Sequence, residues 1–361
     1  MNNPSIQHNQ LRMLFWETTA ACNLKCIHCR AMATENRDAE ELSPEQSIDL
    51  LRSIASFARP VVVLSGGEPL VRPDIYDIAS FGTQLGLKMV LATNGTTLDT
   101  ASAHRLKDAG IQRVSVSIDG SDSAGHDAFR GVPGAFDSAL SGIESLKGVG
   151  MPFQINTSVT RANLGRLPQI LEMTKSLGAC ALHLFLLVPT GCGKQIAEDE
   201  MIEPIDYERV LNWLYDSSRT ASIDLKATCA PHYFRIVRQQ ASAESREQKA
   251  EITMHPLHAE TKGCLAGSAV CFVSHKGDVY PCGYLPVSAG NVLHTPLQRI
   301  WEESELFKQL RDPSLLTGKC GGCQFIRVCG GCRARAYAET GDYLSQEPYC
   351  AYEPRKAHVQ I

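Results

Sequence analysis

Residues 43–64 read SPEQSIDLLRSIASFARPVVVL, and this stretch decides the architecture. Ser43, Pro44 and Gln46 supply a helix N-cap, a first-turn proline and a capping-box partner, and Ile48, Leu51, Ile54 and Ala58 then recur at helical spacing. Val61–Leu64 follows as an unbroken aliphatic run, the pattern of a parallel strand buried on both faces. The same alternation continues on either side. Candidate strands are Arg12–Thr19, Val61–Leu64, Lys88–Ala92, Arg113–Ile118, Phe153–Val159 and Ala181–Val188, with helix-period segments between them. Six such units predict an α/β fold, a partial (β/α)6 TIM-like barrel over residues 11–222. All-β and helical-bundle architectures do not fit this alternation.

From Ile223 the pattern changes. Pro231–Lys249 reads as a polar helix and Glu244–Glu251 as a solvated linker, so residues 223–254 are expected to bridge to a second unit. That unit, residues 255–354, is rich in glycine, poor in long periodic elements, and holds eight of the chain's 14 cysteines. Its order is expected to depend on bound metal.

The chain has 361 residues, 43% hydrophobic and 20% charged, a composition that buries a sizeable core and is incompatible with wholesale disorder. Its formal charge of -4 gives no reason to expect a polyanion, which disfavours nucleic acid as a partner. Met1–Gln10 is polar, so a secretory signal is not expected. The longest apolar stretch, Ala179–Pro189, is interrupted by His183 and falls far short of the roughly 20 residues of a membrane helix. The thiols are therefore expected to meet a reducing cytoplasm, where disulfides are rare.

Three cysteines lie in eight residues directly after the first strand, in Cys22-Asn-Leu-Lys-Cys26-Ile-His-Cys29. Three thiolates can wrap one metal centre. Zinc would need a fourth ligand such as His28 and would be closed by it. A four-iron cluster would keep one iron free for a substrate or cofactor. Other strand ends carry Ser65-Gly66-Gly67-Glu68-Pro69, Thr93-Asn94-Gly95 and Ser117-Ile118-Asp119-Gly120, so four polar, glycine-bearing loops converge on the mouth of the barrel.

With these loops the chain resembles the radical S-adenosylmethionine (SAM) enzymes, whose signature is Cys-x3-Cys-x2-Cys and whose second motif matches Gly66-Gly67-Glu68-Pro69. The resemblance implies that Cys22, Cys26 and Cys29 hold a [4Fe-4S] cluster whose open iron chelates SAM. It implies that Glu68 and the Gly66-Gly67 backbone contact the methionyl amino group, with Ser117, Arg130 and Asn156 also holding the cofactor.

A second constellation comprises Cys264, Cys271 and Cys282, then Cys320-Gly-Gly-Cys323, Cys329-Gly-Gly-Cys332 and Cys350. Paired Cys-x2-Cys units alone also fit a zinc ribbon. In this chain they match the family's SPASM extension, a cysteine-rich iron-sulfur domain. Eight cysteines at four per cluster make two fully ligated auxiliary [4Fe-4S] clusters. The resemblance assigns Cys264, Cys271, Cys282 and Cys332 to one, and Cys320, Cys323, Cys329 and Cys350 to the other. The family usually has three residues before the seventh ligand, whereas two separate Cys329 from Cys332, which leaves the partition open.

Three cysteines remain. Cys180 reads as core packing. Cys192, between Gly191 and Gly193 at a strand end, could line the cavity. Cys229 opens Cys-Ala-Pro-His232-Tyr-Phe-Arg235, where His232 and Arg235 are either satisfied surface groups or contacts to a substrate carboxylate or a metal porphyrin.

Over Leu11–Pro354 the chain further resembles the haem-forming branch of siroheme-dependent tetrapyrrole biosynthesis, through Leu14–Thr19, Leu184–Gly193, Lys226–Arg235 and Cys282–Asn291. This resemblance implies a decarboxylating radical SAM oxidoreductase that turns two propionates of iron-coproporphyrin III into vinyl groups. Its expected partners are a tetrapyrrole and a low-potential electron donor such as ferredoxin or flavodoxin. Alternatives are deacetylation of 12,18-didecarboxysiroheme, peptide maturation, and a non-catalytic iron-sulfur or zinc interaction protein. Only 21 residues precede Cys22, so a built-in peptide-leader domain is not expected.

Overall fold

A computed structural model describes residues 10–248 and 263–354. The end of the expected linker and the first residues of the cysteine-rich unit, 249–262, lie outside the described residues, as do residues 1–9.

The chain alternates strand and helix. The strands are β1 (Met13–Glu17), β2 (Val61–Ser65), β3 (Lys88–Thr93), β4 (Val114–Ser117), β5 (Phe153–Val159), β6 (Ala181–Leu186) and β7 (Asp224–Thr228), followed by β8 (Val270–Val273), β9 (Asp278–Tyr280) and β10 (Gly290–Asn291). The helices between them include α1 (Pro44–Phe57), α2 (Ile75–Gln84), α3 (Thr100–Asp108), α4 (Ser123–Arg130), α5 (Ala135–Gly148) and α6 (Leu167–Leu177). Next come α7 (Ala197–Glu200), α8 (Pro204–Ser218) and α9 (His232–Gln248). One sheet holds all ten strands in the order β10-β9-β8-β1-β2-β3-β4-β5-β6-β7. Strands β1 to β7 are parallel, and β8 runs parallel to β1 on its other side.

The six expected strands are thus β1 to β6, extended at both edges. β7 has the sequence DLKAT, whose alternation of polar and apolar residues hides it from a search for continuous apolar runs. The cysteine-rich part begins by adding β8 to the barrel sheet, with Leu14 opposite Cys271 and Phe15 opposite Phe272.

The two faces of the sheet differ in chemistry. Leu14, Val62, Leu64, Met89, Leu91, Val114, Val116, Ile155, Leu182 and Leu184 are buried on the outer face among helix residues such as Leu51, Ile54, Ile78, Leu106, Ile143 and Ile170. The inner face carries Ser115, Ser117, Gln154, Asn156, Ser158, His183, Lys226 and Thr228, most of them half-open. A polar lumen beneath the loop-bearing strand ends leaves room for a ligand.

The signals in residues 43–64 act as expected. Gln46 N–H donates to Ser43 Oγ at 3.2 Å, and Ser43 N–H donates to Gln46 Oε1 at 2.8 Å, closing a capping box. Buried Arg72 then ties α1 to the end of β1, donating to Thr18 O (2.6 Å), Leu42 O (3.0 Å) and Ser47 Oγ (2.9 Å). Among the described residues no helix is long and apolar enough to cross a membrane.

Candidate active site

The loop after β1 carries Cys22, Cys26 and Cys29, and neighbouring elements hold its backbone. Cys22 N–H donates to Thr34 O (2.8 Å), while Lys25 and Ile27 N–H donate to Arg130 O (3.2 Å) and Phe129 O (3.1 Å) at the end of α4. Donors also point at the sulfurs. Leu24 N–H lies 3.4 Å from Cys22 Sγ, Ala33 N–H 3.4 Å from Cys29 Sγ, Asn94 Nδ2 3.8 Å from Cys22 Sγ and Arg130 Nη1 3.7 Å from Cys26 Sγ. N–H groups aimed at sulfur suit thiolates that share negative charge with a cluster. Burial, with Glu68, Cys26 and Cys29 nearby, pushes the Cys22 thiol up to about 11, so its proton leaves when a metal replaces it. His28 stacks on Phe129 at 4.0 Å, and burial lowers it to about 4, which keeps it neutral.

The glycines after β2 permit close approach to this loop. A Cβ at Gly67 would sit 2.2 Å from Ala21 O, and one at Gly66 2.8 Å from Thr19 O. The backbones are joined through Gly67 N–H to Thr19 O (2.8 Å) and Glu68 N–H to Ala21 O (2.7 Å). Glu68 is fully buried and accepts from Leu70 N–H (3.0 Å), Thr93 Oγ1 (2.8 Å) and Asn94 N–H (2.8 Å). Its carboxylate therefore braces the Asn94 loop. Asn94 passes that order to the cysteines through Cys22 Sγ and Asn23 Oδ1 (2.9 Å). The strand-end position of Thr93-Asn94-Gly95 was the only sequence signal for Asn94.

Arg130 is buried against Asp119, to which it is ion-paired, and burial of Asp119 is more than offset by that guanidinium, leaving its carboxyl below the usual range. Ser117 and Asn156 are in register on β4 and β5, both half-buried on the inner face. Cys192 also comes to the site. Its N–H donates to Cys29 O at 2.9 Å, and Gly191, at φ +56°, is pressed against Arg30 O. Cys180 lies apart, half-buried and donating to Phe153 O at 3.0 Å.

The C-terminal cysteines fall into two groups. Cys320, Cys323, Cys329 and Cys350 line one small, partly open cavity, together with His232, Arg235 and Lys319. Phe325 N–H points at Cys323 Sγ (3.4 Å), Gly331 N–H at Cys329 Sγ (3.4 Å) and Glu347 N–H at Cys320 Sγ (3.3 Å). Cys264, Cys282 and Cys332 form the second group. They are close enough for their thiolates to repel, which adds to burial in pushing Cys282 up to about 12 and Cys332 to about 11. The short spacer between Cys329 and Cys332 explains the split. Gly330 and Gly331 are both left-handed, at φ +70° and +65°, and turn the chain so that the two cysteines serve different groups.

Three placements differ from the sequence expectations. Cys271 is fully buried on the outer face of β8 beside Arg311, away from Cys264, Cys282 and Cys332. His232 and Arg235 face the four-cysteine cavity. His232 is buried with neither ring nitrogen partnered among the described residues, while Arg235 donates to Glu208 (3.0 Å) and lies over Tyr352. Among the described residues no three Cys, His, Asp or Glu side chains stand at the spacing of a single metal ion.

A family model described as the Radical SAM superfamily matches residues 16–173, and one described as an iron-sulfur cluster-binding domain, SPASM, matches residues 264–333. Over 348 residues, 96% of this chain and 98% of the relative, the sequence is 52% identical to an AdoMet-dependent heme synthase from Methanosarcina barkeri. The chain belongs to the radical SAM superfamily. As a radical SAM enzyme with a SPASM domain it uses [4Fe-4S] clusters and AdoMet, which removes the zinc-ribbon and non-catalytic readings. The Fe-coproporphyrin III synthase of Methanosarcina barkeri is a more distant relative, 30% identical over 94% of this chain and 87% of its own length. Among solved structures, Streptococcus suis SuiB bound to S-adenosylmethionine has the same radical SAM fold. Its TM-score is 0.73 at 19% identity, over 95% of this chain and 78% of that one.

Proposed function

We propose that the chain oxidatively decarboxylates two propionate side chains of iron-coproporphyrin III to vinyl groups, giving haem b. The observation that carries this reading is the full-length similarity to an AdoMet-dependent heme synthase at 52% identity, against 30% for the Fe-coproporphyrin III synthase. The inner face supports it. Lys226 on β7 lies in register with His183 on β6, which burial lowers to about 3 and keeps neutral, so the inner face offers one ammonium and a neutral imidazole as polar partners for a propionate carboxylate.

Cys22, Cys26 and Cys29 hold the catalytic cluster, which, when bound, supplies one-electron cleavage of AdoMet to a 5′-deoxyadenosyl radical. Gly66, Gly67 and Glu68 position its loop, while Ser117, Arg130 and Asn156 face the cofactor. The polar strand ends hold the substrate and keep bulk water from the reacting carbon. Each propionate loses one hydrogen atom, carbon dioxide and one electron as the vinyl group forms. The two C-terminal cysteine groups, as ligands of two closed auxiliary clusters, offer a path for that electron. Ferredoxin or flavodoxin would supply the reducing electron, and thiols at this density suit a reducing cytoplasm.

The test is anaerobic turnover of the reduced enzyme with AdoMet and iron-coproporphyrin III, followed by mass spectrometry. The expected product is lighter by two formate equivalents, with deoxyadenosine formed alongside. Turnover of 12,18-didecarboxysiroheme in its place would overturn this reading in favour of the deacetylase. Modification of a peptide, with both tetrapyrroles untouched, would place the enzyme with the maturases.

A further inference from the structure

Cys271 lies apart from the cysteines to which the family resemblance assigns it, whereas Cys229 lies beside them. In β8, Cys271 is in register with Leu14 on the outer, helix-covered face of the sheet. Its neighbour Phe272 is in register with Phe15 on the inner face, where its ring lies 4.5 Å from the Arg30 guanidinium. A Cβ at Gly283, next to Cys282, would meet Phe272 at 3.3 Å and Arg30 at 3.4 Å. The chain around Cys282 therefore packs on the Phe272 side. Successive strand residues point to opposite faces, so Cys271 points away from it.

Cys229 lies on the cysteine side. It follows β7 with φ +58°, a left-handed backbone uncommon for a residue other than glycine. Its carbonyl accepts from Arg335 Nη2 at 2.5 Å. Arg335 Nε is paired with Glu347 Oε1 at 3.0 Å, and Glu347 Oε2 accepts the N–H of Cys332 at 2.6 Å. One buried ion pair thus fixes Cys229 and Cys332 together. Two residues on, Pro231 O stands 2.8 Å from where a Cβ of Gly263 would be, and the next N–H, from Cys264, donates to Cys329 O at 3.2 Å. The thiol of Cys229 is raised by burial and by Cys332, Cys282 and Cys264.

We propose that Cys229, in place of Cys271, joins Cys264, Cys282 and Cys332 as the fourth ligand of one auxiliary iron-sulfur cluster. This rests on the reading of the latter three as cluster ligands. The consequence is structural. One ligand comes from the barrel, at the end of β7, and three come from the cysteine-rich part, so the cluster fastens the two together.

The test compares the native chain with Cys229→Ala, Cys229→Ser and Cys271→Ala after anaerobic reconstitution, by iron content and by EPR with and without AdoMet. The native chain should bind about 12 irons. Cys229→Ala should lose up to about four irons or show a three-iron signal, with the AdoMet-sensitive signal retained. Cys229→Ser, whose oxygen can still ligate, should keep its iron but shift the AdoMet-insensitive spectrum. Cys271→Ala should match the native chain. The proposal fails if both Cys229 variants match the native chain, or if Cys271→Ala loses iron with unchanged circular dichroism. About four irons in the native chain would instead remove the auxiliary clusters themselves, and this ligand with them.

Discussion

Arg130 aims its Nη1 at the sulfur of Cys26 from 3.7 Å, and the same guanidinium pairs with buried Asp119. One side chain thereby joins the cysteine loop to the strand end after β4. Arg130→Met should leave the Asp119 charge without its partner and cost about 3–5 kcal/mol, as breaking a buried pair does. Chemical denaturation of the reconstituted protein measures this. The double variant Asp119→Asn/Arg130→Met should recover part of the loss, and a double variant no more stable than the single would show that the pair is not the cause.

Glu68 sets a pH dependence. Burial raises its carboxyl to about 6, above its ordinary value of 4.5, despite the bonds from Asn94, Leu70 and Thr93. The folded state thus holds the proton more tightly than the unfolded chain. The stability this contributes is fully present below the unfolded value and is lost as pH rises through 6. The expected change is about 2 kcal/mol between pH 4.5 and 6. Unfolding free energies of the native chain and Glu68→Gln across this window should differ in slope, and parallel curves would exclude Glu68 as the titrating group.

Gly67→Ala should disable the catalytic loop selectively. The added Cβ would meet the Ala21 carbonyl oxygen at 2.2 Å, and backbone cannot rotate aside as a flexible side chain does. AdoMet cleavage should fall at least about tenfold, since misplacing the reacting groups by an ångström can cost more than that. The AdoMet-insensitive iron should stay, as measured by EPR.

Glu347→Gln tests the node between the two cysteine groups. Glu347 and Arg335 are both buried and 3.0 Å apart, so the variant should lose about 3–5 kcal/mol by leaving Arg335 uncompensated. Its iron should be released faster on chelator challenge. Unchanged release would mean that the ion pair does not organise the cysteines.

Much of the barrel is legible in the sequence because local rules and tertiary structure agree there. The capping box at Ser43 and Gln46, the aliphatic β2 and the loops at the strand ends all appear where spacing places them. What escapes are properties that depend on a neighbour distant in the chain. β7 alternates polar and apolar residues because only one of its faces is covered. The family resemblance puts Cys271 among the cluster ligands, but strand register decides its face. Cys229 is 35 residues before Cys264 and outside the cysteine-rich part, and it reaches its neighbours through the fold. Likewise, beyond its strand-end position nothing local marks Asn94 as a brace of the cysteine loop, and nothing marks Arg72 as the tie between α1 and the end of β1.

The pairing of β1 with β8 sets an order of events during synthesis. β1 gains one neighbour once Val61–Ser65 has been made, but its other edge faces solvent until Val270 and its successors leave the ribosome. For that interval the nascent barrel carries an unpaired strand, open to pairing with another chain. A fragment ending after α9 would keep that edge permanently, adding a second open edge to the one at β7 where another chain could pair.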